Sequence, residues 1–231
     1  MSDSPQAPVG SKAFPFVRLE FTRRSIEDSR DRADAFYAEM SRRRTTRHFS
    51  NEPVPRDLIE QAIRTGATAP SGAHQQPWTF VAVSRSDIKQ RLRDAAEAEE
   101  RENYRGRMPP DWLAALAPLG TDENKPHLTD APWIVVLFRQ SHGFRPDGSR
   151  LTHYYSQESC GIAAGFFIAA IHHMGLVTLT HTPNPMRFFG ELLERPSNEK
   201  AMLVMPVGYP ADDARVPDLV RKGMESVAVW K

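Results

Sequence analysis

Apolar positions along this chain change period several times, and each change predicts an element. From Ser25 to Arg43 the charges alternate around Ala33, Phe36, Tyr37 and Met40, a weakly amphipathic helix. Pro55 opens a second helix, in which Leu58, Ile59, Ala62 and Ile63 recur at helical spacing and Gly66 lies near the end. Trp78–Val83 reads as a strand, and Ser86 is placed to cap a helix that runs to about Tyr104. Trp133–Phe138 is a second strand. His153 to about Met174 is a long buried helix, rich in Ala and Gly, that Gly175 ends. Leu176–Thr180 and Ala201–Val207 complete a set of four strands. Strands alternating with long helices predict an α/β or α+β sandwich around one central sheet.

The segments between these elements are also informative. Residues 1–24 read as a tail and 25–231 as one domain. Arg43-Arg44-Thr45-Thr46-Arg47-His48-Phe49 is a basic turn, and Ala69-Pro70-Ser71-Gly72-Ala73-His74 is a loop by composition. Residues 105–130 carry Gly106, Pro109, Pro110, Pro118 and Gly120 among scattered charges. A stretch this long and irregular is often a lid, here expected at about 100–130. Residues 210–231 have no place in the predicted core and are expected to reach a second subunit.

Composition narrows the function. Hydrophobic residues make up 40% of the 231 positions and charged residues 26%, as in a globular domain. Lys plus Arg number 30 against 29 Asp plus Glu, so there is no basic field to attract nucleic acid. The single Cys160 can form no internal disulfide and no cysteine cluster, which suits a reducing compartment. The most apolar run, Gly161–Ile171, falls short of the roughly 20 residues a membrane span needs. The N-terminus lacks a secretion signal, so the cytoplasm is the expected location. No zinc, calcium, P-loop or nucleophile-elbow spacing is present. Adjacent His172 and His173 face different directions on a helix, which argues against a shared metal.

Three stretches together resemble the flavin-binding pattern of the nitroreductase superfamily. They are Arg43-Arg44-Thr45-Thr46-Arg47, Ala69 through Trp78, and Val207-Gly208-Tyr209-Pro210 followed by Arg221. The resemblance sharpens to its iodotyrosine deiodinase family at Glu100 through Tyr104, Lys125, His153-Tyr154-Tyr155 and Thr178 to Pro183. It covers roughly residues 35–230. Departures are Thr45 where serine is common, His181 inside a run that is usually threonine, and Gly223 where proline is usual. Animal members of that family carry a membrane anchor, and this sequence looks like the soluble form without one.

The resemblance implies an α+β fold, with a mostly antiparallel sheet flanked by helices and a C-terminal extension exchanged across a homodimer. It implies FMN as cofactor. Arg43, Arg44, Thr45, Arg47 and Arg221 would serve the phosphate and ribityl chain, since arginine supplies fixed charge and forked donors. Pro70, Ser71 and Gly72 would meet the flavin, together with Thr180, His181 and Thr182, and the Thr182 hydroxyl would face flavin N5. Glu100 would take a substrate ammonium, Tyr104 and Lys125 its carboxylate, and the Ala73 N–H its phenolate. The implied activity is removal of iodide, bromide or chloride from halogenated tyrosines, with Thr182 and Ala73 nearest the chemistry. Electrons would come from NAD(P)H or a partner reductase. No side chain stands out as the acid for the halogen-bearing carbon. A general FMN nitroreductase, or a flavoprotein without turnover, would not need Glu100, Tyr104 and Lys125 together.

Overall fold

The computed structural model describes residues 14–231, and the predicted tail lies mostly outside them. The chain divides into two compact units, residues 1–38 and 39–231. In the first, residues 14–25 have no regular secondary structure and α1 (Ile26–Ser41) begins; no residue of α1 is buried, as its charge alternation predicts.

The second unit is built on one four-stranded sheet, in the order β1 (Trp78–Val83), β2 (Trp133–Gln140), β6 (Glu199–Gly208), β5 (Val177–Thr178), antiparallel throughout. Strand β2 is buried on both faces from Ile134 to Phe138, which explains its continuous apolar run. Val135 and Leu137 point to one side, against α2 (Arg56–Ala67) and α6 (Ser156–His173), through Ile59, Ala62, Ala163 and Phe167. Ile134, Val136 and Phe138 point to the other. There they meet Leu92 and Ala96 of α3 (Ser86–Glu102), Leu128 of α5 (His127–Asp130) and Phe189 of α7 (Arg187–Leu192). The result is helix, sheet, helix, in agreement with the expected α+β sandwich.

Several expectations change. The third strand shortens to two residues, because after Thr178 the chain leaves β6 and returns only as a single bridge between His181 and Val204. Helix α6 starts at Ser156, since Tyr155 takes a left-handed conformation (φ 51°) that no continuing helix accommodates. It is also less buried than its composition predicts: Gly161, Ile162, Gly165 and Phe166 form an exposed face. A small hairpin, β3 (His142–Phe144) with β4 (Arg150–Thr152), and α7 carry too little periodicity to predict. The irregular stretch is ordered locally, as a π-helical turn at Asn103–Arg107, α4 (Pro110–Leu116), a short 3-10 turn at Ala117–Leu119, and α5. The C-terminal segment has little regular structure beyond α8 (Met224–Val227). Its residues 217–221 close on the basic turn of their own chain.

Candidate active site

The basic turn is stitched to the sheet edge. Thr45 bridges in parallel to Thr178, and the Thr46 N–H donates to the Thr178 carbonyl at 3.2 Å. With the backbone fixed, Arg43, Arg44, Thr45, Arg47 and Arg221 line one cavity of about 320 Å3, whose wall holds four arginines and no carboxylate. Arg221 donates to the carbonyls of Ser41 at 2.8 Å and Arg43 at 2.7 Å, and Arg44 donates to that of Pro217. Burial, then the charges of Arg221 and Arg44, hold the Arg43 guanidinium below its usual value. Such crowding of cations is relieved by an anion.

A second cavity, of about 160 Å3, shares Arg47 with the first. Glu100, near the end of α3, and Tyr104, in the π-helical turn that follows it, face this cavity together with Lys125, His127 and Thr180–Thr182. Met108, Trp112 and Leu116, from the stretch after α3, form its apolar side. Glu100 and Lys125 are buried, with Nζ and Oε1 4.0 Å apart. Lys125 hydrogen-bonds elsewhere, to the Thr121 hydroxyl at 3.3 Å and the Asp122 carbonyl, while its own N–H donates to Glu97 at 2.9 Å. The Tyr104 hydroxyl donates to the Thr121 carbonyl at 3.0 Å, and Lys125 lies over the Tyr104 ring. Burial lowers the Lys125 pKa, opposed by the nearby Glu100.

The predicted site residues thus fall into two groups. Arg43, Arg44, Thr45, Arg47, Arg221, Glu100, Tyr104, Lys125, Thr180, His181 and Thr182 line these two cavities, which share Arg47. Pro70, Ser71, Gly72 and Ala73 line neither. They belong to a loop of unusual backbone, in which Ala73 (φ 50°), His74 (φ 53°) and Gln76 (φ 48°) are all left-handed. Ser71 Oγ accepts the Gln76 N–H at 2.9 Å, and the Gln75 side chain bridges Thr152 and Tyr154 at 2.8 Å each. Gly72 has no alternative here, because a Cβ would lie 2.5 Å from the Tyr154 carbonyl oxygen. Ala73 is exposed at the loop's surface.

His181 departs from its expected place. Its neighbours Thr180 and Thr182 are exposed, but alternation along the extended backbone turns the His181 side chain inward, against Glu100 and His127. His127 itself gave no signal in the sequence, since it sits in a stretch without period. Its pKa is pushed down to about 2, chiefly by burial and then by His181, Lys125, Arg47 and Arg93. The unfolded chain accepts a proton near 6.5 that folded His127 refuses, so stability is complete above that value and falls as the pH drops. From about pH 7.5 to about pH 5 this ring should remove about 2 kcal/mol. Urea midpoints at the two pH values measure the loss, and His127→Gln should show a visibly shallower fall. An equally steep fall in that variant would rule out His127 as a buried neutral ring.

Residues 40–209 match the family model described as Nitroreductase family. The chain is 52% identical over 215 residues to an iodotyrosine deiodinase of Haliscomenobacter hydrossis, covering 93% of this chain and 96% of that one. It is 46% identical over 214 residues to an iodotyrosine deiodinase of Daphnia pulex, covering 92% and 71%. Its fold is similar to the crystal structure of an oxidized iodotyrosine deiodinase bound to FMN and 3-iodo-L-tyrosine, at a TM-score of 0.71 and 27% identity over 82% of this chain and 96% of that one. The chain therefore belongs to the nitroreductase family and, within it, to the iodotyrosine deiodinases.

Proposed function

We propose that this protein removes halide from halogenated tyrosines by FMN-dependent reduction. The observation that carries the reading is the buried anion and cation, Glu100 and Lys125, held 4.0 Å apart on a cavity that adjoins an arginine cradle. A general nitroreductase has no use for opposed charges beside the flavin, and a flavoprotein without turnover needs no amino-acid site. The residues present fit FMN: four arginines without a carboxylate in the cavity wall suit a phosphate dianion. When bound, FMN supplies the two electrons of the reaction. One C–X bond breaks, one C–H bond forms from a proton at that carbon, and halide leaves.

The chain's own residues bind and orient. Arg43, Arg44, Arg47 and Arg221 hold the phosphate and ribityl end, with the Thr45 hydroxyl beside them. Exposed Thr180 and Thr182 are placed for the ring, Thr182 as its hydrogen-bond donor. Glu100 takes the substrate ammonium, Tyr104 and Lys125 its carboxylate, and the stretch around 100–130 excludes water. The loop Pro70–Ala73 joins this site from a second copy of the chain, with the Ala73 N–H favouring the phenolate. The exposed α6 face, where nothing lies within 4 Å of a Cβ added at Gly161 or Gly165, supports such a homodimer. Val229 and Trp230 at the C-terminal end, 82% and 84% exposed, support it too. Electrons come from a nicotinamide or a partner reductase. Among the described residues no helix is long and apolar enough to cross a membrane, and the single buried Cys160 suits the reducing cytoplasm.

Three measurements test this reading. Arg44→Ala should weaken FMN binding at least about tenfold, since one charge-assisted hydrogen bond contributes roughly 1.5–3 kcal/mol; unchanged affinity would remove the basic turn from the cofactor site. Light scattering of FMN-saturated protein should give a dimer, and a monomer at full occupancy contradicts the shared site. The third is a titration of the FMN-loaded protein with 3-iodotyrosine, tyrosine, iodophenol and a nitroaromatic. Iodotyrosine should bind most tightly, Lys125→Ala and Glu100→Gln should each weaken it about tenfold or more, and iodophenol should be indifferent to both. Intact iodotyrosine binding in Lys125→Ala would favour the general nitroreductase.

A further inference from the structure

Opposite charges side by side in a buried cavity ought to collapse into a hydrogen-bonded pair, because in low dielectric their attraction is strong. Here they do not. Lys125 Nζ and Glu100 Oε1 stand 4.0 Å apart, beyond hydrogen-bonding distance. Each is tethered to something else. Lys125 donates to Thr121 and Asp122. The tether on Glu100 is His181, whose Nε2 lies 3.4 Å from Oε1.

The tether has a fixed direction. A carboxylate only accepts, so His181 carries its proton on Nε2 and Nδ1 is bare. His127 Nε2 lies 3.4 Å from that Nδ1 and must then be the donor to it, with the two rings edge to face at 82°. Burial lowers the pKa of both rings, which keeps them neutral and the direction single. The His181 backbone is pinned as well, its N–H donating to Val204 at 2.8 Å and its carbonyl accepting from Val204 at 3.0 Å. Proton direction thus runs from His127, two residues beyond Lys125, through the segment after β5, to Glu100 at the end of α3.

We propose that His181 is a positioning residue for the anionic half of the substrate clamp: it holds Glu100 back from Lys125, occupies one carboxylate oxygen, and leaves the other for the substrate ammonium. The inference rests on the halotyrosine reading. It assigns to His181 a specificity for amino acids over their des-amino analogues. Without the tether, Glu100 closes on Lys125 and the zwitterion must break an ion pair to enter.

The test uses FMN-loaded protein, with flavin fluorescence as readout for 3-iodotyrosine and for 3-(3-iodo-4-hydroxyphenyl)propanoate, which lacks the ammonium. His181→Leu should weaken iodotyrosine about tenfold or more, as expected for one hydrogen bond to a charged group, and the propanoate by less than about threefold. His181→Gln keeps an N–H donor and should restore iodotyrosine to within about threefold of the parent. Imidazole 15N shifts of the parent should show both rings protonated on Nε2 alone. If iodotyrosine does not bind the parent, the halotyrosine reading fails and this inference with it. If it binds the parent and His181→Leu equally, only the inference fails. Equal losses for both ligands, no rescue by His181→Gln, or a bare Nε2 on His181 would also overturn it. Should His181→Leu lose FMN, His181→Asn, whose amide is too short to reach Glu100, takes its place in the same comparison.

Discussion

The interaction on which the site depends is the separated buried pair of Glu100 and Lys125. Taking two such ions out of water costs several kcal/mol each, and their mutual attraction repays this fully only in close contact. Their side chains are 7% and 4% exposed, yet they stay 4.0 Å apart. A packed apolar pair would stabilise the fold at least as well. In the proposed reading the pair is one half of a contact, completed by a ligand that carries both charges.

The sheet makes that arrangement possible. Ile134, Val136 and Phe138 of β2 pack on Leu92 and Ala96 of α3, on Leu128 of α5 and on Leu179. These three contacts fix the end of α3, the residues after Lys125, and the segment before His181. The elements that bear Glu100, Lys125 and His181 are therefore anchored through one face of one sheet. The opposite face, packed on α2 and α6, leaves part of α6 exposed and carries the strained loop at Ala73. The arginine cradle is the complementary case, where like charges are gathered without a counterion and burial with two neighbouring cations lowers the Arg43 pKa.

The sheet was legible in the sequence because its strands are apolar and bounded, as at Trp78–Val83 and Trp133–Phe138. The basic turn was legible as a cluster of charge from Arg43 to Arg47, while its association with Arg221 was implied only by the family resemblance. Three things were not. The local order of the stretch around Met108–Lys125 comes from short turns and Asx contacts, such as the Asn124 N–H on Asp122 at 2.8 Å, which leave no period. His181 stood at a position expected to touch the cofactor, and only its contacts with Glu100 and His127 show that its ring turns inward. The separation of Pro70–Ala73 from Arg43–Arg47 is a matter of tertiary placement, on which local pattern is silent.

The most direct test of the account is turnover. Chemically reduced, FMN-loaded protein should convert 3-iodotyrosine to tyrosine with one iodide released per molecule, and should act far more slowly on iodophenol, which offers nothing to Glu100 or Lys125. Rapid reduction of a nitroaromatic with no iodide released from iodotyrosine would contradict it.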